Sequence, residues 1–236
     1  MIYIIYTIII FIIILLFLYS ITESDDNYKF IRTINNDGYQ VFQNVNKNIV
    51  LNYLPEGYVF LDYIYTIKGC TLQTFHRDVT SSQYVLGTKY PLYTYIEYKN
   101  KGPTLSVCPN SHKSTPFLWS SPLTIHNDIN ENLSVLFNCD LVHSGAINNL
   151  YKKRHAIQYK IAHVDDLKYL NSLIGVRKIK NNACDVNKIH EYILRKFSLV
   201  FCYPINHIFT SYLQSYQNNF INKLAIYIFG KSFYNM

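Results

Sequence analysis

The first twenty residues carry no charged side chain. From Met1 to Ser20 the chain is almost entirely Ile, Leu, Phe and Tyr, with Thr7 as the one threonine inside the run. A segment this apolar is hard to bury at the extreme end of a water-soluble domain. About 20 apolar residues is also the length that crosses the hydrocarbon core of a bilayer. A secretory signal peptide would show a basic start and a small-residue cleavage site, and neither is present. The run therefore predicts an uncleaved N-terminal transmembrane helix, with a cleaved signal as the rival, and a single-pass membrane localisation. Lys29 and Arg32 follow the span and no basic residue precedes it. This charge placement tilts the remainder towards the cytoplasmic side without fixing it.

The whole chain of 236 residues has room for one domain with a real core plus appendages. Its wealth of Tyr, Ile, Asn and Lys reads as coding bias rather than chemistry. The net charge of +7 is uneven: residues 1–150 hold 9 Lys/Arg against 11 Asp/Glu, and residues 151–236 hold 13 against 4. A basic C-terminal third suits an anionic substrate or lipid surface, or is simply a solvated face. Nothing patterned points to nucleic acid. The five cysteines are scattered with no close paired spacing, so neither a zinc ribbon nor a redox pair is indicated.

Residues 21–29 read as a linker into the folded part. Between 30 and 165 short Tyr-, Ile- and Val-rich runs alternate with turn signals at Asn35–Gly38, Pro55–Gly57 and Lys99–Pro103. Strands are expected around 39–45, 58–67, 105–108, 133–142 and 156–162, with two more within 71–98 around a break at Ser81-Ser82. Residues 112–131 read as a long loop. The fold class is thus mainly β, an antiparallel barrel or jelly roll. Residues 166–236 read as a basic, mainly helical extension, with a helix over Asp185–Leu199 capped by Asp185 and further helix over 208–227.

One constellation carries a specific chemistry. His76-Arg77-Asp78 places an imidazole and a carboxylate on one face of an extended segment, because residues i and i+2 point the same way. A second imidazole, His143, completes two histidines and one carboxylate. That set holds non-heme Fe(II) and leaves coordination positions open. Arg154 begins an alternating run to Ile161, and its planar fork can take a carboxylate in two parallel bonds.

These residues resemble the phytanoyl-CoA dioxygenase-like family of Fe(II)/2-oxoglutarate oxygenases. The resemblance covers roughly residues 30 to 165 and rests on an ordered set: the Asn36-Asp-Gly-Tyr39 opening, His76-x-Asp78, Gly102-Pro103, Pro109-Asn-Ser-His-Lys113, His143, Asn148 and Arg154. It implies a double-stranded β-helix, a metal site of His76, Asp78 and His143, and 2-oxoglutarate as cosubstrate with its far carboxylate on Arg154. It further implies Fe(II) as cofactor, ascorbate as an optional reductant, and hydroxylation of a substrate C–H bond with release of succinate and CO2. Asp78 argues for hydroxylation, since halogenating relatives lack this carboxylate. Thr94 and Ser144 are candidates to touch the cosubstrate. His112 and Lys113 are expected to shape the rim, with Asn110 standing where the family usually has Gly and able to take a left-handed backbone.

His76-Arg-Asp78 also matches the start of a kinase catalytic loop. That loop needs an Asn where Gln83 stands, along with a Gly-rich loop and an Asp-Phe-Gly that the chain lacks. Two readings stay open: a membrane-anchored hydroxylase acting on a small or lipid-like molecule, and a barrel of the same ancestry serving as a membrane-bound binding or structural protein. Oligomeric state is not legible.

Overall fold

The computed structural model describes residues 2–26, 32–69, 74–113, 122–128, 132–147, 154–181 and 189–200. Helix α1 (Ile2–Ser20) leads into β1 (Ser24–Asp25). Then follow the short α2 (Ile34–Asp37), β2 (Tyr39–Gln43), β3 (Tyr58–Phe60) and β4 (Tyr63–Gly69). After the one-turn α3 (Gln83–Leu86) come β5 (Tyr93–Tyr98), β6 (Gly102–Val107), β7 (Leu123–Asn127), β8 (Leu133–Asn138) and β9 (His143–Gly145). The long β10 (Arg154–His163), β11 (Val176–Asn181) and α4 (Ile189–Val200) complete the described elements.

The strands form two mixed sheets. One runs β1-β7-β6-β9 and the other β11-β4-β10-β5-β8-β2, with β3 pairing β10 outside that order. The two face each other across an apolar core of Leu105, Val107 and Ile125 from the small sheet against Ile96, Tyr98, Val135, Phe137 and Ala156 from the large one. The large sheet is covered on its other face as well, where Ile34, Val50, Leu54 and Tyr58 pack on Tyr93, Tyr95, Leu136 and Ile161. Burial on both faces explains why β8 reads Leu-Ser-Val-Leu-Phe-Asn rather than as a strict alternation. A mainly β sandwich with flanking helices is therefore what the strand pattern builds.

Several local expectations change. The turn at 35–38 is a helical turn closed by Gly38 at φ 83, where a Cβ would run into the His112 ring and Leu141. Of the first strand expected within 71–98, the described residues from Thr74 onward make a single antiparallel bridge, between His76 and His143, and β7 lies inside the stretch read as loop. The residues on either side of the sandwich join it: Ser24 and Asp25 pair with β7, and β11 adds to β4 in parallel. β11 is an exposed edge of Val-Arg-Lys-Ile-Lys-Asn. Its lysines suit an edge strand that must not recruit another chain, and they also mask the strand in the sequence. Asp185, Asn148 and the helix expected over 208–227 lie outside the described residues.

The N-terminal run is helical as expected, but the expected membrane crossing is corrected. Among the described residues no helix is long and apolar enough to cross a membrane. The end of α1 is also engaged by protein. α1 touches α4, and Ile21, directly after it, is buried with Phe75, Cys108, Val142, Leu199 and Val200 on the outer side of the small sheet.

Candidate metal centre

The bridge between His76 and His143 is the foundation of the site. Each donates its backbone N–H to the other's carbonyl at 2.9 Å, so the two side chains are held as cross-strand neighbours, ring centroids 4.6 Å apart. Two residues on, the Asp78 N–H is fastened to the Cys139 carbonyl at 2.9 Å. Alternation puts Phe75 and Arg77 on the opposite side. There Arg77 donates to the Ser111 carbonyl at 2.8 Å, while Ser111 Oγ accepts the Val142 N–H at 2.8 Å. The Pro-Asn-Ser-His-Lys turn thus fastens both ligand-bearing segments from behind. Asn110 takes the left-handed backbone expected of it, at φ 68.

Ligand atoms of His76, Asp78 and His143 all lie within 4.8 Å of one another. Asp78 Oδ1 is 3.6 Å from His143 Nε2 and 4.0 Å from His76 Nε2. The opposite ring nitrogens face backbone carbonyls: His76 Nδ1 that of Thr74 and His143 Nδ1 that of Leu141, each at 2.9 Å. A proton on each Nδ1 satisfies those carbonyls and leaves both Nε2 lone pairs aimed at the centre, the form in which imidazole binds a metal. Burial pushes both imidazoles towards neutrality, His76 down to about 4 with help from the neighbouring His143, and His143 lowered chiefly by burial. Burial alone would raise Asp78, but the Lys160 ammonium and the two rings hold it well below the usual carboxylate range. Two neutral imidazoles and one carboxylate, with three convergent atoms, fit a divalent first-row metal.

The sequence reading missed Lys160. Its side chain is 2 % exposed and its Nζ donates to Asp78 Oδ2 at 2.6 Å, Ser81 Oγ at 2.7 Å and Thr94 Oγ1 at 2.8 Å, with Cys139 Sγ farther off at 3.6 Å. The signal was present: Arg154, Ala156, Gln158 and Lys160 occupy one buried face of β10. Thr94, a candidate for the cosubstrate, instead donates to Asp78 Oδ2 at 2.7 Å. The Ser144 hydroxyl accepts from Arg195 at 2.6 Å. Ser144 pairs with Ser106, which alternates with the core residues Leu105 and Val107 and so lies on the sheet's outer face. Both serines there meet α4 rather than the metal side.

Arg154 is not part of the triad cluster. It is 7 % exposed, its guanidinium donates to the Ala146 carbonyl at 2.5 Å, and its Nε is buried with no partner. Burial lowers its pKa. No carboxylate pairs with it among the described residues. A buried guanidinium with an unpartnered Nε, tied to the carbonyl of Ala146 three residues after His143, has the chemistry to take the free end of a dicarboxylate.

No protein-family model matches the chain, and no curated protein matches it. Solved structures do show partial likeness. EvdMO1 is 12 % identical over 50 % of this chain and 30 % of that one, at a TM-score of 0.36, so the chain spans under a third of that protein. The iron and alpha-ketoglutarate-dependent endoperoxidase NvfI is 9 % identical over 59 % of this chain and 83 % of that one, at a TM-score of 0.41. EvdO2 from Micromonospora carbonacea var. aurantiaca, complexed with 2-oxoglutarate, is 9 % identical over 61 % and 96 %, at 0.34.

Proposed function

We propose that the chain is a non-heme Fe(II)/2-oxoglutarate-dependent dioxygenase on a double-stranded β-helix of the phytanoyl-CoA dioxygenase-like type, and that it hydroxylates a substrate C–H bond. The observation that carries the reading is the convergence of His76 Nε2, His143 Nε2 and Asp78 Oδ1 within 4.8 Å, with each histidine's Nδ1 facing a carbonyl. The metal would supply the oxidising chemistry, with 2-oxoglutarate converted to succinate and CO2. This chain's own residues bind and orient. His76, Asp78 and His143 would hold the metal, and Arg154 would pair with the cosubstrate's far carboxylate. Thr94 steadies Asp78, and Ser144 supports the distal strand through Arg195.

The apolar α1, exposed from Ile5 to Ile14, is proposed to seat the domain on a membrane, which favours a lipid-like or membrane-proximal substrate. A helix apolar on all sides finds its stable environment in lipid or protein rather than water.

One observation favours the second reading, a non-catalytic binding protein: Lys160 already neutralises Asp78, so the site is electrically complete without a metal. Turnover separates the two. The full-length chain in detergent, with Fe(II), ascorbate, oxygen and 2-oxoglutarate, is expected to release succinate above a His76→Ala control. Failure to bind Fe(II) in the folded protein would select the binding protein.

A further inference from the structure

We infer that Lys160 is a positioning residue that confines Asp78 to a single metal-binding oxygen, keeping one more coordination position open for cosubstrate. The inference rests on the metal reading above and adds a function for a residue that reading leaves idle.

The geometry is specific. Asp78 Oδ2 accepts from both Thr94 Oγ1 at 2.7 Å and Lys160 Nζ at 2.6 Å. Those two bonds use both lone pairs of that oxygen. Oδ1 is the oxygen left facing the two Nε2 atoms, at 3.6 and 4.0 Å. The clamp is itself rigid. The Lys160 ammonium is surrounded by acceptors: Asp78, Ser81 and Thr94 oxygens within 2.8 Å and Cys139 Sγ at 3.6 Å. Its backbone is paired in register with Thr94 on β5, and its side chain is almost wholly enclosed. Rotating Asp78 so that both oxygens reach a metal would pull Oδ2 from two donors and strand a buried ammonium, which is strongly unfavourable.

Without Lys160 that restraint falls to one neutral hydroxyl. A carboxylate can bind a metal through one oxygen or two. Taking two would use a coordination position that a chelating 2-oxo acid needs. Lys160 therefore controls cosubstrate binding through Asp78, without touching the metal.

The test uses the full-length protein loaded with Mn(II), with bound water counted by electron–nuclear double resonance in ¹⁷O-labelled water, and 2-oxoglutarate affinity measured by calorimetry. Lys160→Met is expected to bind Mn(II), to show one fewer metal-bound water than wild type, and to weaken 2-oxoglutarate by about tenfold or more, the scale on which residues supporting a metal ligand act. Lys160→Gln, which keeps a donor, is expected to fall between. Thr94→Val, milder for folding, is expected to move both readouts in the same direction by a smaller amount, and it carries the test where Lys160→Met does not fold. Unchanged water count and unchanged 2-oxoglutarate affinity in the folded variants would overturn the inference and leave Lys160 a core ion pair. A folded wild-type protein that binds no Mn(II) would instead overturn the metal reading itself.

Discussion

Glu23→Gln is the substitution whose cost the structure specifies best. Arg195 on α4 is 1 % exposed at its side chain and donates to Glu23 twice, Nε to Oε1 at 2.6 Å and a terminal nitrogen to Oε2 at 2.9 Å. The same guanidinium reaches Ser106 Oγ at 2.9 Å, Ser144 Oγ at 2.6 Å and the Gly145 carbonyl at 2.8 Å. One side chain therefore ties the segment after α1, two strands of the small sheet and α4 into a single unit. Removing the charge of Glu23 leaves an enclosed guanidinium without its counter-ion, a change that costs about 3–5 kcal/mol. For a chain of this length each kcal/mol shifts Tm by about 2–4 °C, so the expected drop is about 6–20 °C. Circular dichroism melts in detergent measure it. Removing both charges in Glu23→Gln/Arg195→Met takes the stranded cation away and is expected to recover most of the loss. A drop of less than about 2 °C for the single variant, or a double variant as unstable as the single, would refute the reasoning. The pH dependence has a defined sign. Burial works against ionised Glu23, yet its bonds to Arg195, Ser106 and Thr124 leave its pKa below the ordinary 4.5. A depressed carboxylate contributes stability that is full above the unfolded value and lost as pH falls, so the bridge weakens below about pH 4.5.

Arg154→Met is expected to keep or raise Tm in the absence of ligand, because it replaces a buried cation that has an orphaned Nε, and to weaken 2-oxoglutarate binding by about tenfold or more. Calorimetry and a melt on the same sample check both. Burial, with the neighbouring His143, depresses His76 to about 4. An imidazole that stays neutral in the fold but protonates near 6.5 when unfolded makes stability fall as pH drops from about 6.5 towards 4, by up to about 1.4 kcal/mol per pH unit. Mn(II) affinity, read by titration, is expected to be nearly flat from pH 7.5 to about 6 and to collapse below about 5. His143→Ala is expected to abolish Mn(II) binding while preserving the sheet signal in circular dichroism, since the bridge to His76 is made by backbone atoms.

The site was legible in the sequence to the extent that local geometry fixes it. His76 and Asp78 share a face through the two-residue period of an extended chain. Arg154 begins an alternation that the fold keeps, and Asn110 adopts the backbone that its residue type allows. Thr94 and Ser144 were visible as residues near the site, but their partners are set by packing: Lys160 from a neighbouring strand, and Arg195 from a helix 51 residues beyond Ser144. Lys160 lay on the same alternation as Arg154 and was passed over, since a lysine within a Tyr- and Ile-rich strand reads as an outward residue until its carboxylate is known. β11 escaped because an exposed, lysine-bearing edge strand has no apolar alternation to announce it. The length of α1 was read from the absence of charge, whereas its end is set by the contacts that draw Ile21 into the domain.

The central claim is that His76, Asp78 and His143 form one metal centre open to a 2-oxo acid. Mixing the folded full-length protein anaerobically with Fe(II) and 2-oxoglutarate, and recording the visible spectrum, tests it most directly. A metal-to-ligand charge-transfer band in wild type that is absent from His76→Ala and His143→Ala is the predicted result. No band from folded wild type at saturating Fe(II) and 2-oxoglutarate would contradict the account.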